Sequence, residues 1–214
     1  MFSEQPSKSE SDSPGSSYYS AMHSQLSSCT TSPFAVRHLE QHWSSSIDDL
    51  PPIPIPFALE TFLLAKKFKL PSVLKRAFYE LLRTSGLGLD VLDLGVPYEA
   101  EFTRQDFTLL VRTREKLDAT WTKVTIVQPQ PPDMDLWTCC MSRETQRAFW
   151  DSAVFESGLQ IRFLHDPICG LMELEHMGLP YCDRCVVAKR RGWEEVRISL
   201  WSYLDEVLAP VVAH

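Results

Sequence analysis

No run of about eighteen or more apolar residues occurs in the 214-residue chain, so a membrane-spanning helix is excluded on length. The chain begins Met1, Phe2, Ser3, Glu4, a polar and acidic start without an apolar core, and no secretory signal is expected. Basic residues are in deficit: 21 Lys and Arg stand against 28 Asp and Glu, a net charge of -7. That balance argues against a protein that grips phosphate backbones. The one short basic run, Lys189-Arg190-Arg191, is followed by Glu194 and Glu195 and reads as a solvated helix face. Neither a nucleic-acid nor a membrane partner is therefore expected. An unsecreted chain places its six cysteines in a reducing compartment, cytoplasm or nucleus, as thiols or metal ligands rather than disulfides.

Catalytic signatures are also scarce. Gly86 and Gly88 lack the third glycine and the preceding strand of a dinucleotide loop, and they read as a helix terminator. No nucleophile elbow, Walker lysine or His-Glu-x-x-His pair appears. Glu173 and His176 have the spacing of half a di-iron site, but a second copy and two further glutamates are missing. His165 beside Asp166 reads as a surface histidine next to a helix cap. No catalytic residue is assigned.

What the chain does contain divides near residue 50. Residues 1–49 are nearly one-third serine, with few large aliphatics, a composition that cannot bury enough apolar area to offset its conformational entropy. They are expected to form a disordered tail carrying two Ser-Pro dipeptides, Ser13-Pro14 and Ser32-Pro33. A short apolar patch, Phe34, Val36, Leu39 and Trp43, is expected to form a transient or docking helix. Residues 50–214 are expected to form one domain, led in by the proline-stiffened stretch 50–56.

Helical periodicity dominates from there. Phe57, Leu59, Phe62, Leu63, Ala65 and Phe68 form one apolar side, and Leu70-Pro71 ends that helix. Val73, Leu74, Ala77, Phe78, Leu81 and Leu82 form the next stripe. Thr103 with Asp106 makes a capping signature before a long helix whose face holds Phe107, Leu110, Val111, Leu117, Trp121 and Val124. Ser142 caps a helix carrying Phe149, Trp150, Ala153 and Val154. Asp166-Pro167 opens a short one. The last, over 183–208, has Trp193, Val196, Leu200, Trp201, Leu204 and Leu208 on one face. Only 124–127 and 159–163 alternate like strands. The pattern predicts an all-α, irregular multi-helix domain of about six to seven helices after the serine-rich tail.

The cysteines carry the one cluster with metal-site spacing. Cys182 and Cys185 form a Cys-x-x-Cys knuckle at a helix start, and Cys139 with Cys140 lies in a tight loop between helices. Together they offer four sulfurs for a structural, tetrahedral Zn²⁺, with Cys169, His165 and His176 as replacement ligands. Inert thiols are the plain alternative. Thiol redox chemistry at the helix start is the enzymatic one, although the strand–motif–helix setting of a thioredoxin-like site is missing.

Residues 57–83 resemble the end of a BTB/POZ domain and the helical pair that follows it. The matching pattern is an apolar helix ending in Ala65-Lys66-Lys67-Phe68, a break, then Pro71-Ser72-Val73-Leu74 and an apolar helix with Phe78 and Tyr79. Further on, the chain is similar to the C-terminal region of BTB-domain proteins of mushroom-forming fungi. The matching features are Arg114-Glu115-Lys116-Leu117 before Trp121, a proline-rich loop over 129–132 and Cys139 with Cys140. An Asp-Pro turn over 166–171 follows, then Cys182 and Cys185 before a Trp-rich helix. The resemblance covers 50–214 and implies a non-catalytic protein–protein interaction or adaptor module. Its implied partners are a cullin scaffold of ubiquitin ligases or another BTB protein, with a link to ubiquitylation or transcriptional control. The chain departs from the family before Phe57, where a serine-rich tail stands in place of the BTB core, so dimerisation through that core is not carried over. Loss of the core, a misplaced start or a divergent paralogue would each account for this departure. The rival expectation is a small metal- or thiol-dependent enzyme that uses the cysteine cluster.

Overall fold

The computed structural model describes residues 33–86, 102–127, 142–178 and 181–213. Every regular element among them is helical, so the domain is all-α. The contact pattern divides the chain into two units, Met1–His42 and Trp43–His214. In the first, the described residues form helix α1, Pro33–His42, where the apolar patch predicts one. In the second, the described residues form a 3-10 turn at Ile47–Asp49 and then seven α-helices. These are α2 (Ala58–Lys67), α3 (Pro71–Arg83), α4 (Arg104–Val127), α5 (Arg143–Trp150), α6 (Leu159–Arg162), α7 (Pro167–His176) and α8 (Asp183–Ala213).

Local chemistry sets most of the boundaries. Pro71 occupies the first turn of α3, where its missing N–H has no partner to lose. Thr103 and Asp106 cap each other reciprocally: the Thr103 N–H and hydroxyl donate to Asp106 Oδ2 at 2.8 and 2.6 Å, and Asp106 N–H donates back at 3.2 Å. Asp106 is also buried against Lys66 Nζ, 2.7 Å away, which fastens the end of α2 to the start of α4. Ser142 accepts from Thr145 N–H at the start of α5. Asp166 and Pro167 open α7 as an Asp cap followed by proline. Beyond Trp150, α5 widens into a π-helical stretch, Asp151–Glu156, in which Ser157 N–H donates to Ser152 O at 3.1 Å. Gly158 ends it in the left-handed region, φ 73.

Both segments with strand-like alternation are helical. Residues 124–127 close α4, and Leu159–Arg162 is α6. Val124 and Thr125 are buried, and the Thr125 hydroxyl donates to Trp121 O at 3.0 Å, so packing and a nucleated helix override the β-branched run. The helix α8 continues past 208 and through Pro210, which is exposed.

The core forms where α2 packs on α3, α7 on α8, and α4 touches α3, α6, α7 and α8. Trp121, Trp150 and Trp193 are fully buried within it, as are Phe62 and Phe78. Large apolar groups of this kind contribute about 1.5–3 kcal/mol each on burial. Trp121 and Trp150 also satisfy their indole N–H groups, donating to Gln160 O at 2.8 Å and Thr125 O at 2.7 Å. Gly170 is required by close approach: a Cβ there would stand 2.7 Å from the Trp121 ring and 2.8 Å from Phe163 Cβ. The expected face of α4 is narrower than its apolar pattern, since Phe107 is 44% exposed while Asp106 and Thr113 are buried. Lys189 departs from the expected solvated face: it is buried, with its ammonium 5.2 Å from the centre of the Tyr181 ring. Arg191 remains exposed and pairs with Glu195.

Candidate functional site

Cys182 and Cys185 stand at the start of α8, where a Cys-x-x-Cys at a helix beginning turns both side chains to one side. The Cys182 thiol donates to Cys185 Sγ across 3.3 Å; Cys185 is buried and Cys182 half-buried. Cys139 and Cys140 lie outside the described residues. The described residues therefore supply two of the four expected sulfurs. Among them, no group of three or more His, Cys, Asp or Glu is arranged to hold a metal ion.

The three replacement ligands are engaged in other contacts. Cys169, on α7, lies 3.7 Å from Arg83 Nη1 and 4.0 Å from Pro51 O. Burial, then the neighbouring Asp166 carboxylate, pushes its thiol up to about 12. His165 Nδ1 is 3.1 Å from Asp118 Oδ2, a partly exposed pair that contributes little to stability. His176 Nδ1 meets Met172 O at 2.7 Å. Glu173 and Glu175 pair with Arg162 and Arg197, so the Glu-x-x-His spacing is occupied by surface and inter-helix ion pairs.

Among the described residues, a dense polar cluster lies elsewhere, along α3. Residues 73–83 are buried on every side of that helix, including Lys75, Arg76, Glu80 and Arg83. Arg76, Glu80 and Arg83 fall on one face at helical spacing. Glu80 Oε1 accepts from Arg76 Nε at 2.9 Å and lies 3.7 Å from Arg83 Nη1. Glu80 Oε2 accepts from the Ile55 N–H at 3.0 Å. Burial raises the Glu80 carboxyl, against Arg83, the Ile55 N–H and Arg76, which lower it.

Arg83 continues the cluster to α7. Its Nε is 3.1 Å from Asp166 Oδ2, an ion pair without hydrogen-bond alignment, and its Nη2 donates to Pro51 O at 2.7 Å. Burial lowers the guanidinium, but Asp166 and Glu80 together hold it above its ordinary value. Tyr79 donates to Asp166 Oδ1 at 2.6 Å, and burial followed by Asp166 keeps the phenol protonated well above its usual range. Lys75, nearby, pairs with Asp205 at 2.7 Å and sits 4.6 Å from the Trp201 ring centre, joining α3 to α8. Each ionisable group in this cluster is committed to holding elements together. Apolar periodicity hides this cluster in the sequence, although Arg76, Glu80 and Arg83 share one stripe of α3.

On the outside, aliphatic side chains stay in solvent on adjoining elements. Ile126 and Val127, in the last turn of α4, are 63% and 62% exposed, and Ile161 on α6 is 78% exposed. The two elements meet where Gln160 Nε2 donates to Thr125 Oγ1 at 3.3 Å. No helix among the described residues is long and apolar enough to cross a membrane. Compared with protein-family models, curated proteins and solved structures, the chain matches none.

Proposed function

We propose that the chain is a non-catalytic interaction module, an adaptor of BTB-associated type that binds a cullin scaffold or another BTB protein. Its role would link that partner to ubiquitylation or transcriptional control. The observation that carries the reading is the exposed aliphatic group on α4 and α6. Isolated surface apolar residues are ordinary, but Ile126, Val127 and Ile161 stand on elements that touch. The commitment of Glu80, Tyr79, Arg83 and Asp166 to structural pairs supports the same reading. In this proposal Zn²⁺ bound by Cys139, Cys140, Cys182 and Cys185 is structural, and its binding energy adds to folding.

The test is crosslinking and affinity purification of the full chain from its own cells, beside an Ile126→Glu/Ile161→Glu variant. A cullin or BTB protein recovered with the first and lost with the second is expected. A different stable partner would keep the interaction module and remove the ubiquitin link. Recovery of nothing would overturn the proposal.

The sulfur contact of Cys182 with Cys185, 3.3 Å, favours a second reading, a small thiol- or metal-dependent enzyme. Substrate turnover by the purified chain that depends strictly on Cys182 or Cys185 would establish it in place of the adaptor.

A further inference from the structure

The buried charges of α3 close on a backbone. Residues 43–56 run across α3 and α8, and most of their polar contacts are made through the main chain. Arg76 Nη1 reaches Ser44 O and Asp49 O, each at 3.4 Å, Arg83 Nη2 donates to Pro51 O at 2.7 Å, and Glu80 accepts from Ile55 N–H at 3.0 Å. From α8, the Trp201 indole donates to Ser45 O at 3.0 Å. One contact to α8 reads a side chain, Arg197 Nη1 on Asp48 Oδ1 at 3.1 Å. Trp43 and Leu50 are the buried apolar anchors, while Ile53 is 75% exposed.

Main-chain recognition of an extended segment accepts any sequence that offers the same backbone groups. With the resident segment lifted away, Arg76, Arg83 and Glu80 lose Ser44 O, Asp49 O, Pro51 O and the Ile55 N–H, and a second segment that offers the same main-chain groups restores those contacts. The resident segment also joins α2 through Phe57, an aromatic residue held in the left-handed region, φ 63. An untethered segment carries no such strain.

We propose that the α3–α8 groove is a peptide-binding site, in which residues 43–56 are exchangeable for an extended, proline-containing acidic segment of a partner protein. Three features define the ligand: a carboxylate in the place of Asp48, a carbonyl in the place of Pro51, and a residue with an N–H in the place of Ile55. Flanking prolines lower the entropy lost on binding, as Pro54 and Pro56 do for the resident segment. The site is independent of the BTB-associated reading, because it uses a different surface and requires neither a cullin nor a BTB protein.

The experiment uses the full chain and a fluorescein-labelled synthetic peptide with the sequence of residues 43–56, followed by anisotropy. Asp48→Arg, at a side chain that is 78% exposed, opposes Arg197 and loosens the resident segment without disturbing the core. Saturable binding is expected, about tenfold tighter to the Asp48→Arg chain than to the wild-type chain. An Ile55→Pro peptide, which lacks the N–H that Glu80 accepts, should bind about tenfold more weakly. Asp48→Ala, which removes the pair without adding a charge, should fall between and serves if Asp48→Arg does not fold. Absence of saturable binding to the folded variants, or equal affinity for both peptides, would overturn the proposal. A concentration-dependent dimer of the wild-type chain that the peptide dissociates would also overturn it, by assigning the groove to a second copy.

Discussion

Removing the Glu80 side chain is the sharpest test of how α3 is held. Glu80 is wholly buried and serves three donors: Arg76 Nε at 2.9 Å, the Ile55 N–H at 3.0 Å and, more distantly, Arg83 at 3.7 Å. In Glu80→Ala, Arg83 keeps Asp166 and Pro51 O, whereas Arg76 keeps only contacts of 3.4 Å to Ser44 O and Asp49 O. The stranded charge is therefore Arg76. Breaking one side of a buried pair costs about 3–5 kcal/mol, a large part of the roughly 5–15 kcal/mol that holds an ordinary domain. With a urea slope of about 2 kcal/mol per molar, the midpoint should fall by about 2 M, read by far-UV circular dichroism. Glu80→Gln keeps an acceptor and should lose about 1–3 kcal/mol. The double variant Arg76→Met/Glu80→Leu removes both charges and should recover most of the loss, because a well-packed apolar pair replaces a desolvated ionic one. A Glu80→Ala chain within about 1 kcal/mol of wild type, or a double variant less stable than Glu80→Ala, would refute the reasoning.

Gly170→Ala should destabilise by about 1–3 kcal/mol in the same assay, despite alanine's better helix propensity, because the new methyl meets the packed Trp121 ring and Phe163 Cβ. The folded state holds the Glu80 proton more tightly than the unfolded chain, since burial raises that carboxyl. The resulting stability is present below the unfolded value and is lost as pH rises through the folded one. The stability of wild type relative to Glu80→Gln should therefore fall from about pH 4 toward pH 7, and a rise would contradict the assigned direction. Cys169, with its thiol pushed up to about 12, should resist alkylation in the native chain and react only on unfolding, as peptide mass spectrometry would report. Native mass spectrometry of the full chain should show one Zn²⁺, lost with Cys182→Ser; a metal-free, stably folded chain would remove the zinc proposal.

The helical class and most helix starts were legible because they depend on local chemistry. Thr103 with Asp106, Ser142, and Asp166 with Pro167 act within one turn of chain, and the apolar stripes of α3 and α8 repeat at a spacing that only a helix aligns. The strand-like patches 124–127 and 159–163 misled because a β-branched run in the first and a short apolar–polar alternation in the second are weak preferences, and buried contacts of Val124, Thr125 and Leu159 outweigh them. The approach of two cysteines was equally local. Cys182 and Cys185 stand three residues apart at one helix start, which brings their sulfurs to one side, 3.3 Å apart.

Tertiary structure alone decided what the charged residues do. In the sequence, Arg76, Glu80 and Arg83 lie off the apolar stripe of α3, and Lys189 looks like a solvated cation. Folding encloses the first three beneath residues 43–56 and lays Lys189 over Tyr181. A charge can be buried only where partners remote in sequence arrive to compensate its lost hydration. Asp166 reaches Arg83 from α7 and Asp205 reaches Lys75 from α8, across separations that no local pattern records. Periodicity therefore determines which residues are helical, while the chain's long-range packing determines which of its charges are structural.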